Sequence, residues 1–160
     1  SMSPANVYRF FHSKREINET VATRLIGEVE AAVEAVVHEA GPAEARLRKF
    51  IRTVHDMSAE RYVNDVNIHE MVRAALTESW PIIEGYITRM NARVARLIAQ
   101  GMESGEFRVG DPLQLAACVN TATVRFSHPG LMMECARMEQ PTLDALLDFV
   151  IAGLKAPARA

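Results

Sequence analysis

The residues most able to do chemistry in this chain are five histidines, two cysteines and a polar, basic run at the N-terminus. A helical metal site needs histidines four residues apart, or a Glu-x-x-His pair, and a zinc site built on cysteine needs close-set thiols. His12, His38, His55, His69 and His128 show no such spacing, and His69-Glu70 is only an adjacent pair. Cys118 and Cys135 lie too far apart for a CxxC motif, and no G-x-S-x-G nucleophile elbow occurs. The sequence therefore predicts neither an enzyme nor a metal or cofactor protein. The N-terminal run Ser3-Pro4-Ala5-Asn6-Val7-Tyr8-Arg9 is more informative. Ser3 suits a helix cap and Pro4 the first helical turn, which predicts a very short helix. That helix would expose Ser, Asn, Tyr and Arg, groups that suit phosphate and base-edge contacts.

Those residues sit in an otherwise ordinary globular composition. Of the 160 residues, 49% are hydrophobic and 24% charged, enough apolar side chain to build a core and exclude disorder. The length is that of one domain, or one domain and a fragment. Eighteen basic residues against 20 acidic ones give a net charge of −2, which excludes a uniformly basic coat but not a local basic patch. The balance is uneven. Residues 1–15 carry Arg9, Lys14 and Arg15 and no acid, whereas residues 16–45 carry seven acids and one base, Arg24. No run of about 18 uncharged apolar residues exists, so no membrane span is expected. With no export signal at the N-terminus, the two cysteines read as reduced thiols of a cytoplasmic protein.

The elements that must carry these residues are helical throughout. Ile17, Val21, Leu25, Val29, Val33 and Val37 form an i, i+4 stripe behind a Ser13–Glu16 capping box, predicting one long helix. Gly41-Pro42 ends it and opens a second helix striped by Leu47, Phe50, Ile51, Val54 and Met57, with a loop expected near residues 59–63. A shorter helix is expected around Val66–Leu76. Trp80-Pro81 breaks the chain. A long helix then runs from about Pro81 to Ser104 and Gly105 closes it. Asp111-Pro112-Leu113-Gln114 opens a helix to about Phe126, His128-Pro129-Gly130 interrupts it, and a short turn of helix follows to Met138. Pro141 starts the last helix, striped by Leu143, Leu146, Leu147, Val150, Ile151 and Leu154. No period-2 alternation of useful length appears, and the class is all-α.

The segment Ser3–Lys14, with Tyr8, the aromatic pair Phe10-Phe11 and Lys14, resembles the end of the helix-turn-helix of TetR-family transcriptional regulators. Gly105-Glu106-Phe107 followed by Asp111-Pro112 is similar to a loop between two late helices of that family. The resemblance implies three regions. Residues 1–15 would be the end of a DNA-binding domain whose first two helices are missing from the sequence. Residues 16–40 would be the connecting helix, and residues 41–160 a ligand-binding and dimerisation domain. It further implies that Ser3, Pro4, Ala5 and Asn6 face the major groove, that Tyr8 and Arg9 reach phosphate or line the groove, and that Lys14 lies near the DNA backbone. Phe10 and Phe11 would be internal packing.

A regulator of that kind holds a small effector in the core of its larger domain. Polar or soft residues on apolar faces are the expected lining: Met57, His69, Trp80, Tyr86, Met90 and Arg125. Arg125 would pair with an acidic effector or bridge two subunits. The last two long helices would form a four-helix bundle across a two-fold axis, through Leu113, Ala117, Val124, Leu143, Leu147, Val150 and Leu154. Phe149, opposite Leu147, would otherwise be stranded in water. The expected function is a homodimeric repressor released from operator DNA by a small apolar or amphipathic effector. The alternative is a helical dimeric small-molecule-binding or scaffold protein without DNA binding.

Overall fold

A computed structural model describes residues 14–62, 71, 74, 81–135 and 137–155. Among them are six α-helices: α1 (Lys14–His38), α2 (Ala43–Tyr62), α3 (Pro81–Glu103), α4 (Pro112–Thr123), α5 (Pro129–Glu134) and α6 (Leu143–Leu154). A single turn of 3-10 helix, Val124–Phe126, prolongs α4. No strand occurs among the described residues. One isolated antiparallel bridge, Phe107 to Lys155, joins the loop after α3 to the end of α6. The expected all-α class is the observed one.

Several helix ends follow directly from local sequence. Asp111 caps α4, its Oδ1 accepting from the amides of Leu113 (2.9 Å) and Gln114 (3.4 Å), with Pro112 at the first helical position. Thr142 caps α6 by accepting from the Ala145 amide at 3.2 Å. Gly41 (φ 120°) and Gly105 (φ 78°) take positive φ angles just past the ends of α1 and α3, where a side chain is disfavoured. Two readings need correction. α2 does not loop out near residue 59 but runs on to Tyr62, where Arg61 donates to the Leu25 carbonyl at 3.2 Å and pairs with Glu28. The i, i+4 stripe of α1 is kept at Leu25, Val29, Val33 and Val37, all buried, and departs at Val21. Each four-residue step overshoots a full turn by about 40°, so the stripe winds. Val21 is 36% exposed, and Ala22 takes the buried place beside Leu25, Val29, Val33 and Val36.

The main core lies where α1, α2, α3, α4 and α6 meet, around Val33, Leu47, Phe50, Val94, Leu97, Ile98, Phe107, Leu147 and Ile151. A smaller cluster of Ala22, Leu25 and Met71 sits with Ala74, Ile82 and Ile83. The corner after α3 locks the main core. A Cβ at Gly101 would lie within 2.9 Å of three carbons of the Phe107 ring, so glycine is what lets that ring seat against α3. The adjoining Glu106 carboxylate accepts from the Ala43 amide (2.9 Å), the Glu44 amide (3.0 Å) and the Ser104 hydroxyl (2.9 Å). It thus caps α2 from about sixty residues away in sequence. Arg46 closes the same corner, donating to the Val37 carbonyl at 3.0 Å and to Gln100 at 2.8 Å.

Candidate functional site

A cavity of about 480 Å³ lies at the junction of the two apolar clusters. Protein interiors rarely hold voids larger than a water molecule, whereas this volume falls in the range of small-molecule sites. α1 supplies Ala22, Leu25, Ile26 and Val29 to the wall, α2 supplies Phe50, Ile51, Val54 and Ser58, and α3 supplies Ile83, Tyr86, Ile87 and Met90. The remaining side runs from Asn120 to Pro129. α1, α2 and α3 thus turn largely apolar faces inward. Among the described lining residues none is an acid, a lysine or an arginine.

The polar groups of the wall gather on the Asn120–Pro129 side and on Ser58 opposite it. Ser58 is buried in mid-helix because its hydroxyl donates to the Ser127 carbonyl at 3.2 Å. The neighbouring His55 Nδ1 lies 2.8 Å from the Phe126 carbonyl oxygen, and its ring meets that of Phe126 edge-on at 5.9 Å. The Asn120 amide donates to Asn91 at 2.9 Å. His128 caps α5, its Nδ1 accepting from the Leu131 amide at 3.3 Å. Burial lowers the His128 pKa below its ordinary value, and the nearby Glu134 charge opposes that only in part.

Below the cavity α1 is tied to α3 by a ladder of ion pairs. Glu30 receives Arg89 through both carboxylate oxygens (2.7 and 3.2 Å) and Arg93 at 3.0 Å. Glu34 receives Arg93 at 2.6 Å, Arg96 at 3.2 Å and His38 at 3.0 Å. Burial works against the charge on Glu30, but the hydrogen bonds and charges of Arg89 and Arg93 outweigh it and hold its pKa below the ordinary value. The Arg93 hydrogen bond does the same for Glu34. With Arg89 bidentate on Glu30 and Arg93 shared between Glu30 and Glu34, the ladder resists displacement better than an isolated surface pair.

Of the expected effector residues, Tyr86 and Met90 line the cavity. Met57 and Arg125 do not. Met57 is turned one helical step away, packing half-buried on the main core. The Arg125 guanidinium turns to Met138 Sδ at 3.5 Å, and its Nε is buried without a partner among the described residues. His69 and Trp80 lie outside the described residues, as do Ser3, Pro4, Ala5, Asn6, Tyr8 and Arg9. Lys14 opens α1, and its side chain is likewise outside the description.

The interface stripe also divides. Leu143, Leu147 and Leu154 are buried within their own subunit, Leu147 completely, because they face the main core. Leu113 and Ala117 on α4 are exposed, as is Val124 in the 3-10 turn beyond it, where it also borders the cavity, and Val150 is half-buried. Phe149 on α6 is 78% exposed. The expectation that it is stranded in water holds for a single subunit. Sequence reasoning missed Ser58, Asn120, Thr121 and His128 as lining residues. A serine inside an apolar stripe and a histidine before a proline were the available signals.

No helix among the described residues is long and apolar enough to cross a membrane. No curated protein matches the chain. Residues 43–148 match the family model of the tetracyclin repressor-like C-terminal domain, a family of ligand-responsive transcriptional regulators rather than of enzymes. The match runs from the first residue of α2 into α6, well over half of the sequence, and the chain belongs to the TetR family.

Proposed function

We propose that this protein is a homodimeric repressor whose hold on operator DNA is released by a small apolar or amphipathic effector. The cavity between α1 and α3 is the observation that carries this reading. The same α1 that lines the cavity through Ala22–Val29 also begins at the basic, polar segment that resembles a DNA-reading helix. An effector wedged into the wall favours one tilt of α1 over another. Differential affinity for the two tilts is what couples the sites. Ser3, Pro4, Ala5, Asn6, Tyr8, Arg9 and Lys14 are the proposed DNA contacts, with Tyr86 and Met90 among the effector contacts.

The proposed dimer uses the outer faces of α4 and α6. Leu113, Ala117, Val124 and Phe149 form an exposed apolar surface on the two helices that pack against each other late in the chain. Small residues on α4 permit close approach of a two-fold mate. The deciding experiment is a gel shift of the protein, with its complete DNA-reading domain, on its own promoter across a salt series. Binding that weakens with salt and is lost on adding an effector is expected. Absence of binding at low salt would leave the alternative, a dimeric small-molecule-binding protein.

A further inference from the structure

The lining of the cavity is uneven, and we infer from it the chemical class of the occupant. It is a neutral, mostly hydrocarbon molecule with one uncharged oxygen head that accepts a hydrogen bond from His128. This inference rests on the cavity being the effector site.

One wall is hydrocarbon. α1 and α3 present Leu25, Ile26, Val29, Ile83, Ile87 and Met90 to the space. The opposite wall carries the polar groups, but most are already engaged within the protein. The Ser58 hydroxyl donates to the Ser127 carbonyl, the Ser127 hydroxyl to Val124 (3.3 Å), the Thr123 hydroxyl to Val119 (2.9 Å), and the Asn120 amide to Asn91. The Thr121 hydroxyl is exposed and open to water, whereas His128 is half-buried and its far nitrogen has no partner among the described residues. Because His128 Nδ1 accepts the Leu131 amide, a neutral ring carries its proton on Nε2 and is a donor there. Burial favours that neutral ring at physiological pH. A half-buried donor beside an apolar wall calls for an acceptor, such as a carbonyl, ester or hydroxyl oxygen.

Charge is disfavoured for the same reason. An ionised group entering this space meets no opposite charge among the described lining residues, and burying it unpaired is expensive. Arg125, adjacent in sequence to the polar wall, is turned to Met138 and offers no counter-ion.

The test is calorimetric titration of the protein at neutral pH with methyl octanoate, octanoate and octylammonium, three probes of similar length and different charge. Toluene serves as an apolar probe without a head. Methyl octanoate is expected to bind at least roughly tenfold more tightly than either ion. An ion binding as tightly as the ester would overturn the ligand class while leaving the cavity as the effector site. No binding of any probe, toluene included, to protein with an intact helical spectrum would remove the effector-site reading itself. His128→Ser keeps an oxygen to cap α5 and leaves no ring donor. It is expected to weaken methyl octanoate by about three- to tenfold and leave toluene unchanged. Full ester affinity in this folded variant overturns the head assignment.

Discussion

Replacing Glu106 with glutamine should destabilise the fold through a helix it does not belong to. The carboxylate accepts two amides at the start of α2, from Ala43 and Glu44, and the Ser104 hydroxyl. A glutamine keeps one carbonyl oxygen for one amide, but its NH₂ group faces the other as donor against donor. One charge-assisted bond is lost, and the negative charge that favours a helix N-terminus goes with it. Together these are worth about 2 kcal/mol. For a chain of this size that lowers the melting temperature by about 4–8 °C. Circular dichroism of thermal and urea unfolding reads both quantities.

The pH dependence gives a second check. Burial raises the Glu106 pKa, but the Glu44 and Ala43 amides, with Ser104 and the charge of Arg46, bring it below the ordinary 4.5. A depressed carboxyl stabilises the fold above its unfolded value and loses that contribution as pH falls through the folded value. The gap between wild type and Glu106→Gln should thus be full at neutral pH and close in acid, below about pH 4.5. A variant within about 0.5 kcal/mol of wild type at neutral pH, or a gap that persists unchanged in acid, would refute the capping argument.

Three further outcomes are expected. Gly101→Ala should destabilise by about 3 kcal/mol in urea unfolding, because its Cβ would collide with the Phe107 ring in a closed corner. Gly27→Ala should instead raise stability by about 0.5–1 kcal/mol, since nothing lies within 4 Å of a Cβ there and alanine is the better helix former. Phe149→Arg should give a folded monomer by light scattering, whereas Leu147→Arg should fail to fold; a Phe149→Arg protein that stays dimeric would count against the outer face of α6 as interface.

How much was legible in the sequence depends on how local the cause was. Asp111 and Thr142 cap the helices that follow them within three residues, so pattern reading finds them. Gly105 closes α3 for an equally local reason. Glu106 caps α2 across the whole fold, and no spacing rule reveals that. The same limit explains the interface. Apolar periodicity shows that Leu143, Leu147 and Leu154 need burial, but not whether their own subunit or a second one provides it. Their own subunit does, and among the expected interface residues Leu113, Ala117 and Val124 stay exposed and Val150 half-buried, with Phe149 exposed beside them. In the cavity, Tyr86 and Met90 follow from their place on an apolar stripe. Met57 follows the same stripe logic yet sits one step round α2. Ser58 and His128 matter through backbone partners, at Ser127 and Leu131, that only the folded chain brings within reach.

Treated as a rigid rod turning about the ion-pair ladder, and moving together with the Arg61 contacts at Leu25 and Glu28, α1 has the mechanics of a lever. Its fixed point is Glu30, where Arg89 and Arg93 converge. From there the cavity wall at Leu25 is five residues away, or about 7.5 Å along the axis, and Lys14 is sixteen residues away, or about 24 Å. If the helix stays straight, a sideways push at Leu25 arrives at Lys14 magnified about threefold. A displacement of about 1 Å, no more than a side chain concedes to a guest, then moves the start of the helix by about 3 Å, comparable to a hydrogen-bond length. The same leverage works backwards: holding the N-terminal end of α1 still stiffens the cavity wall and resists entry of a ligand.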